Sequence, residues 1–507
     1  MIKNRRPGLT FIFLLFTIIA ILVYAVIRST LLLFADYNPV EKIWAILLIS
    51  GEFFILLHAM GYVLNIAKAK FKSQDIIVKQ GGLNQKKPYV AILVPARHEP
   101  KEVLENTFIS INNINYNNKK VYLLDDSTDE KYKQEAEELS KEYNLTLFRR
   151  TRPAHGAKAG IINDCLENLQ EDYIAVFDAD QNPLPDFLTI TIPILEDDEK
   201  LAFIQTPQFY SNIESNPIAR GATFQQAVFY EYICEGKSLS DSMFCCGTNV
   251  VLRREALMQI GGFDESTVTE DLATSIKLHT RGWKSLYYPH VYAFGMGPEN
   301  LTAYFQQQFR WAAGTISVFK KILKQFLLKP FSLKTVQWFE YFLSSTYYFT
   351  GLALSILMLC PLLYLIFKIP SFFARPEIYL FSFLPYIILS MSIFYLVLRK
   401  RNYTPKDLFI GQLLGITAFS VYMRAAISAL LGMSLSFGVT SKSKGTTIPY
   451  FRLWPQIGFI LLNFIAIVWG VNRYIYELNP AILVNGFWAF YHMSVLSAIF
   501  YFNRELR

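Results

Sequence analysis

The sequence predicts an α/β domain inserted between helical membrane spans, and two observations carry that prediction. The chain of 507 residues is 52% apolar with a mean hydropathy of +0.25. That is above the usual soluble composition, and the excess sits in long runs near both ends. Between those runs, across residues 74–314, the sequence turns polar and short apolar stretches alternate with helical patterns. A mostly parallel sheet covered by helices reads this way.

The membrane elements come first and last. Residues 9–27 form an apolar run of about 19 residues, long enough to cross a bilayer. Lys3, Arg5 and Arg6 precede it and no small-residue cleavage site follows, so an uncleaved anchor is expected rather than a signal peptide. Residues 43–67 form a second span, closed by Lys68, Lys70 and Lys72. Four more spans follow the polar region, at 342–367, 378–398, 457–471 and 486–502. Arg399, Lys400 and Arg401 trail the fourth span, and Arg504 and Arg507 trail the sixth. Basic residues collect on the cytoplasmic side. The N-terminus, the polar domain, the loop after the fourth span and the C-terminus are therefore all expected there, in a multi-pass protein of the plasma or inner membrane. Residues 404–432 mix Lys406, Asp407, Gln412 and Arg424 with apolar positions, the pattern of a helix lying in the interface. The expected layout is two N-terminal spans over 1–73, a cytosolic domain over 74–320 and a membrane region over 321–507.

The net charge of +8 suits cytoplasmic rims facing anionic lipid and gives no reason to expect nucleic acid. The five cysteines lack metal-ligand spacing, and the adjacent Cys245 and Cys246 fall in the cytosolic part, where thiols stay reduced.

Within the domain, residues 89–95, 120–126, 145–149 and 173–180 read as buried strands and 130–143 as a helix. Such sheets bind ligands at the carboxyl ends of their strands, and acids stand at two of those ends. Asp178 and Asp180 flank Ala179. On an extended backbone, residues two apart share a face, so both carboxylates would point at one place and repel unless a cation lay between them. Oxygen ligands suit Mg²⁺ or Mn²⁺ completed by phosphate oxygens, although a solvated turn carries the same residues. Asp125-Asp126-Ser127 ends an earlier strand, where a carboxylate can accept hydrogen bonds from a ribose or a base, or simply form an Asx turn. His155-Gly156-Ala157-Lys158-Ala159-Gly160 opens a helix. Small residues permit close backbone approach, a helix N-terminus favours anions, and Lys158 adds a charge suited to a diphosphate.

In Thr267-Val268-Thr269-Glu270-Asp271 a capping box would use Thr267 and Glu270. It would leave Asp271 on a rigid first turn, its pKa lowered by the helix dipole and raised by a dry site. Gln307, Arg310 and Trp311 share one helix face; a donor, a fixed cation and a flat aromatic suit a sugar ring, or a membrane-interface anchor. Residues 436–445 read SFGVTSKSKG between apolar runs. Thr440 and Lys442 would share a face of that loop if it is extended, and an ordinary basic loop would also explain them.

Taken in this order, the motifs resemble the membrane-embedded family 2 glycosyltransferases, and in particular the catalytic subunits of cellulose synthases; hyaluronan, chitin and curdlan synthases are more distant. The matching pieces are DDS at Asp125, HGAKAG at His155, DAD at Asp178, QTP at Gln205, FCCGT at Phe244, TED at Thr269 and QQFRW at Gln307. The resemblance implies a Rossmann-like GT-A nucleotide-sugar fold. It implies Asp125 and Asp126 near uridine, Lys158 near the diphosphate, and Asp178 and Asp180 on UDP and metal. It implies Asp271 as general base, with Glu270 and Asp180 beside it in the catalytic set. Gln307, Arg310 and Trp311 would hold UDP and the acceptor sugar, with Cys246 and Gly247 beside the acceptor. The loop at about 436–448 would be a gate in which Phe437, Val439, Thr440 and Lys442 match the family pattern; its closure would bring a hydroxyl and a cation to the diphosphate and exclude water.

Two departures stand out. Where the family often has Tyr-Asn-Glu after the first strand, this chain has Arg97-His98-Glu99, so no base-stacking tyrosine is carried over. Only five residues follow Phe502, so control through a C-terminal cyclic-dinucleotide-binding domain is expected to need another chain. The expected activity is that of a processive, inverting hexosyltransferase. It would use a UDP-sugar, most simply UDP-glucose, with Mg²⁺ or Mn²⁺, extend a β-glucan acceptor and pass the polymer across the lipid bilayer, with accessory or export subunits as further partners. Trp338, Tyr341, Tyr347 and Tyr348 would line the channel or form an interfacial belt. The alternatives are a non-processive enzyme making a glycolipid, a synthase of a β-1,3 or mixed-linkage glucan or of a hyaluronan- or chitin-like polymer, and a transporter or receptor that binds a sugar nucleotide without catalysis.

Overall fold

Val90–Ala96 (β1) shows why the domain is layered. Val90, Ile92 and Val94 pack into one apolar cluster, and Ala91 and Leu93 into another, because successive side chains of a strand point to opposite faces and helices cover both. The computed structural model, which describes residues 8–71, 87–214, 216–370, 375–399, 401–433 and 447–504, continues with β2 (Lys119–Asp125), β3 (Thr146–Phe148), β4 (Tyr173–Val176), β5 (Asn182–Pro183), β6 (Leu201–Gln205), β7 (Phe209–Tyr210), β8 (Val250–Arg253), β9 (Lys284–Tyr287) and β10 (Ala293–Gly295). Seven of these form one sheet, ordered β3-β2-β1-β4-β8-β6-β9, and β5-β10-β7 form a second.

The expected strands are β1 to β4, all paired in parallel; β8 runs antiparallel between β4 and β6. Its antiparallel course sets Val250 opposite Val176, so the residues just before β8 lie beside the end of β4. The Asp178 amide accordingly donates to Thr248 Oγ1 at 2.8 Å. The fourth strand is shorter than expected. It stops at Val176, and Asp178 to Asp180 lie in a turn in which the Gln181 amide donates to the Asp178 carbonyl at 3.0 Å.

Among the described residues, six helical stretches are long and apolar enough to cross a membrane: Thr10–Phe34, Pro39–Phe71, Thr335–Phe367, Glu377–Arg399, Tyr450–Glu477 and Pro480–Phe502. Residues 404–432 form two helices, Pro405–Thr417 and Phe419–Leu430, bent by 44°, which together would make a seventh. They pack on the domain helices Pro217–Val228 and Leu301–Leu328. This explains their mixed composition: Asp407 accepts from Arg220 at 2.6 and 2.9 Å, and the Tyr422 hydroxyl donates to Gln308 at 2.8 Å.

The domain is tied to the spans by Glu340, which is 1% exposed and accepts from Lys237 at 2.9 Å, from Lys68 at 2.8 Å and from Asn65 at 3.1 Å. Breaking such a buried network at one partner strands a charge, so it holds one orientation. Two expected channel aromatics belong to this junction instead. The third span begins at Thr335, ahead of its apolar run, and its first turns pack against the domain. Trp338 and Tyr341 are therefore buried beside Leu272 and Ile276, with Trp338 Nε1 donating to the Pro330 carbonyl at 2.7 Å and the Tyr341 hydroxyl meeting His279 Nδ1 at 2.5 Å. Tyr347 is exposed, and Tyr348 packs against Tyr422 with ring centroids 5.2 Å apart.

Candidate active site

A cleft of about 760 Å³ opens along the carboxyl ends of β2, β1 and β4 and the start of β8. Its wall follows the sheet order. Asp126 comes after β2, Arg97-His98-Glu99 after β1, Asp178 and Asp180 after β4, and Cys246 and Gly247 before β8. Glu270 and Asp271, which open the helix Glu270–Thr280, and Gln307, Arg310 and Trp311 of the helix Leu301–Leu328 complete it.

Lys158 sits at the centre. Its helix, Ala157–Leu166, starts after Gly156 at φ 59°, where a Cβ would stand 2.5 Å from Glu265 Oε2. Lys158 Nζ bonds the Asp178 carboxylate and donates to the Gly247 carbonyl at 2.8 Å. Burial works against its charge, but the carboxylates of Asp178 and Glu270 outweigh that and hold its pKa above the ordinary value.

Asp271 is directed by its own helix. Its Oδ1 accepts from the Leu272 amide at 2.7 Å. Its Oδ2 has no hydrogen-bond partner among the described residues, and a methyl group at Gly247, whose φ is 82°, would sit 3.4 Å from it. Burial, and then the neighbouring Glu270 carboxylate, push Asp271 up to about 7, against the pull of Lys158. Burial therefore outweighs the helix terminus, and the result is a carboxyl group poised to accept a proton near neutral pH.

Residues 88–314 match the family model described as glycosyltransferase-like family 2, and residues 258–506 match that of cellulose synthase. The chain belongs to the cellulose synthase-like family 2 glycosyltransferases. Among family members, it is 27% identical over 427 residues to the UDP-forming cellulose synthase catalytic subunit of Pseudomonas fluorescens, covering 81% of this chain and 56% of that one. It is 35% identical over 270 residues to a UDP-forming cellulose synthase catalytic subunit of Dictyostelium discoideum, covering 51% of this chain and 25% of that one. The chain thus spans about half the length of the first relative and a quarter of the second. The GT-A-like fold is shared with a Pyrobaculum calidifontis mannosyltransferase solved with GDP-Man and Mn²⁺, at a TM-score of 0.52 and 17% identity over 76% of this chain and 100% of that one.

In this chain most of the expected residues meet in the cleft, and the exceptions have physical causes. Asp125 does not line it. Adjacent residues at a strand end point opposite ways, and Asp125 is buried against Arg149 Nε at 2.7 Å and the Ser127 amide at 3.0 Å. Asp178 and Asp180 both line the cleft, but from a turn and not through strand alternation. The capping box is not formed, because the helix begins at Glu270, two positions later than a Thr267 cap requires; Thr267 Oγ1 donates instead to the Thr269 carbonyl at 3.2 Å. Phe437, Val439, Thr440 and Lys442 lie outside the described residues.

Two further residues were given no role from sequence. Arg150, paired with Asp126 at 3.0 Å, also donates to the carbonyls of His155 at 2.8 Å and Ala157 at 3.1 Å; it joins the β2 end to the Lys158 turn. Gln205 is fully buried. It donates to the carbonyls of Thr206, Thr248 and Asn249 at 2.8, 2.8 and 3.2 Å and accepts from the Cys246 amide at 2.7 Å. No spacing rule marks either residue, since Gln205 bonds backbone groups and Arg150 bonds backbone groups and an acid 24 positions away. Gln205→Leu orphans these buried groups, and thermal unfolding should show a loss of about 2–4 kcal/mol; a melting point within a degree of wild type would contradict this.

Proposed function

We propose that this chain transfers a hexose from a UDP-sugar, most simply glucose from UDP-glucose, to the end of a growing β-glucan in a processive, inverting reaction, and passes the polymer into the helical bundle for export. One observation carries the reading: a single cleft holds an acid pair, a half-buried lysine, an Asp271 oxygen without a hydrogen-bond partner among the described residues, and the Gln307, Arg310 and Trp311 face. A sugar-nucleotide donor needs the first two and a sugar acceptor the rest.

In this reading Asp126 faces the nucleoside, Lys158 and the acid pair take the diphosphate, Cys246 and Gly247 flank the acceptor end, and Trp311 supports the acceptor ring. Asp271 Oδ2 takes the proton from the acceptor hydroxyl, while the bond from the Leu272 amide to Oδ1 keeps the carboxylate directed. The acceptor oxygen attacks the anomeric carbon opposite UDP, so configuration inverts. Lys158 and Arg310 stabilise the departing diphosphate, and Glu270 keeps Asp271 basic enough to act. A divalent cation fits Asp178 and Asp180. These offer hard oxygen ligands, and among the described residues no group of three His, Cys, Asp or Glu gathers as a closed metal site, so an ion there keeps positions for phosphate oxygens, as Mg²⁺ and Mn²⁺ do. When bound, it neutralises charge on the leaving group.

Detergent-purified protein supplied with Mn²⁺ or Mg²⁺ and a panel of radiolabelled UDP-sugars tests this. High-molecular-weight product from UDP-glucose, digestible by cellulase, is the expected result. Label confined to a small glycolipid would remove processivity from the reading, and no incorporation from any donor would sink it.

A further inference from the structure

We infer that His98 is a specificity-determining residue for the donor's nucleobase, presenting a fixed Nδ1–H to a carbonyl oxygen of the base; this rests on the UDP-sugar reading above. Position comes first. Along the cleft the order is Asp126 and His98, then Asp178 and Asp180, then Gly247 and Asp271, because the sheet order is β2-β1-β4-β8. A sugar nucleotide with its diphosphate at the acid pair and its sugar toward Asp271 leaves its nucleoside only the β1 and β2 ends.

The His98 ring is held there before any ligand arrives. His98 follows β1 in the left-handed region at φ 56°, which histidine enters more readily than most residues, and its amide donates to Ser127 Oγ at 3.1 Å. Its Nε2 accepts from the Thr128 amide at 2.9 Å and lies 3.0 Å from Thr128 Oγ1. A backbone amide can only donate, so Nε2 must carry no proton, and in the neutral ring the proton sits on Nδ1. The Tyr132 ring, with its centroid 5.2 Å away, fixes the imidazole from another side. Nδ1 has no hydrogen-bond partner among the described residues, and His98 lines the cleft.

The wall therefore carries a donor with a defined tautomer and little rotamer freedom left to lose, which is how a polar contact becomes selective. Uracil has two carbonyl oxygens to meet it and adenine has none. Arg97, the neighbouring exposed cation, has no such anchoring among the described residues and discriminates less.

The test is calorimetric binding of UDP, CDP and ADP to the full-length, detergent-purified protein, its His98→Phe variant and its His98→Gln variant, with thermal unfolding as the control for folding. Phe keeps the ring and its contact with Tyr132 but lacks the N–H; Gln restores a donor. UDP binding is expected to weaken about tenfold in His98→Phe, to recover most of that in His98→Gln, and ADP binding is expected to stay unchanged. An equal loss for UDP and CDP would assign the donor to the 2-carbonyl they share, and a loss confined to UDP to the 4-carbonyl. If His98→Phe binds UDP as tightly as wild type, or loses ADP equally, the inference is overturned while the donor reading stands. Wild type that binds no nucleotide overturns both.

Discussion

Asp271→Asn is expected to lower kcat by about 10³-fold, within the range a positioned general base supplies, while UDP affinity stays within a few-fold of wild type. Asn keeps the shape of the side chain and can still accept from the Leu272 amide, the contact that now directs Oδ1 at 2.7 Å. What it cannot do is take the acceptor proton at Oδ2. Initial rates of polymer labelling, with calorimetric UDP binding on the same preparation, separate the two effects. A rate within tenfold of wild type would remove Asp271 from the role of base. The same side chain sets an acid limit on activity. Burial and Glu270 push it up to about 7 in the donor-free protein, so below that pH it is protonated and unable to act, and kcat/KM should rise with pH through the neutral region.

Lys158→Met is expected to have the second largest effect. Lys158 Nζ bridges the Asp178 carboxylate and the Gly247 carbonyl, and its charge lowers the pKa of both Glu270 and Asp271. Met fills similar space without charge, so the diphosphate loses its cation and the neighbouring acids lose theirs. UDP affinity should fall about 100-fold, the upper end of the ~1.5–3 kcal/mol that a hydrogen bond to a charged group contributes. With the lysine gone, the Asp271 pKa moves further up, so the acid limb of kcat/KM should move to higher pH. An unshifted limb would mean that Lys158 does not face the base during turnover, even if affinity fell.

The parts of this protein that could be read before folding are those set by local pattern. Val90–Ala96 and Tyr173–Val176 are apolar at nearly every position because they are buried on both faces, and a run of that kind declares a strand by itself. The spans declare themselves by length, and Gln307, Arg310 and Trp311 share a face whatever the helix packs against. The misreadings all concern where an element begins or ends. Strand alternation cannot apply to Asp178 and Asp180 once β4 ends at Val176. One residue of difference at the end of β2 separates Asp126 in the cleft from Asp125 behind it. The helix start at Glu270 removes the capping box, and the third span's start at Thr335 turns Trp338 and Tyr341 into packing residues.

By itself, the sequence determined the division into spans and an α/β domain, the strands at the front of the sheet, and the chemical types gathered in its motifs. It could do so because hydrophobic periodicity and side-chain chemistry are properties of short segments. Only the tertiary structure decided which of those groups meet. Lys158 reaches Gly247 across 89 positions because β8 enters antiparallel beside β4. Glu340 of the third span reaches Lys237 of the domain across 103. Gln205 acquires its place by bonding the backbone beside β8, and Arg150 by bonding Asp126 and the backbone of the Lys158 turn. The poise of Asp271 near neutrality is likewise a tertiary property, since it comes from the water excluded and the carboxylate brought alongside when the domain closes around it.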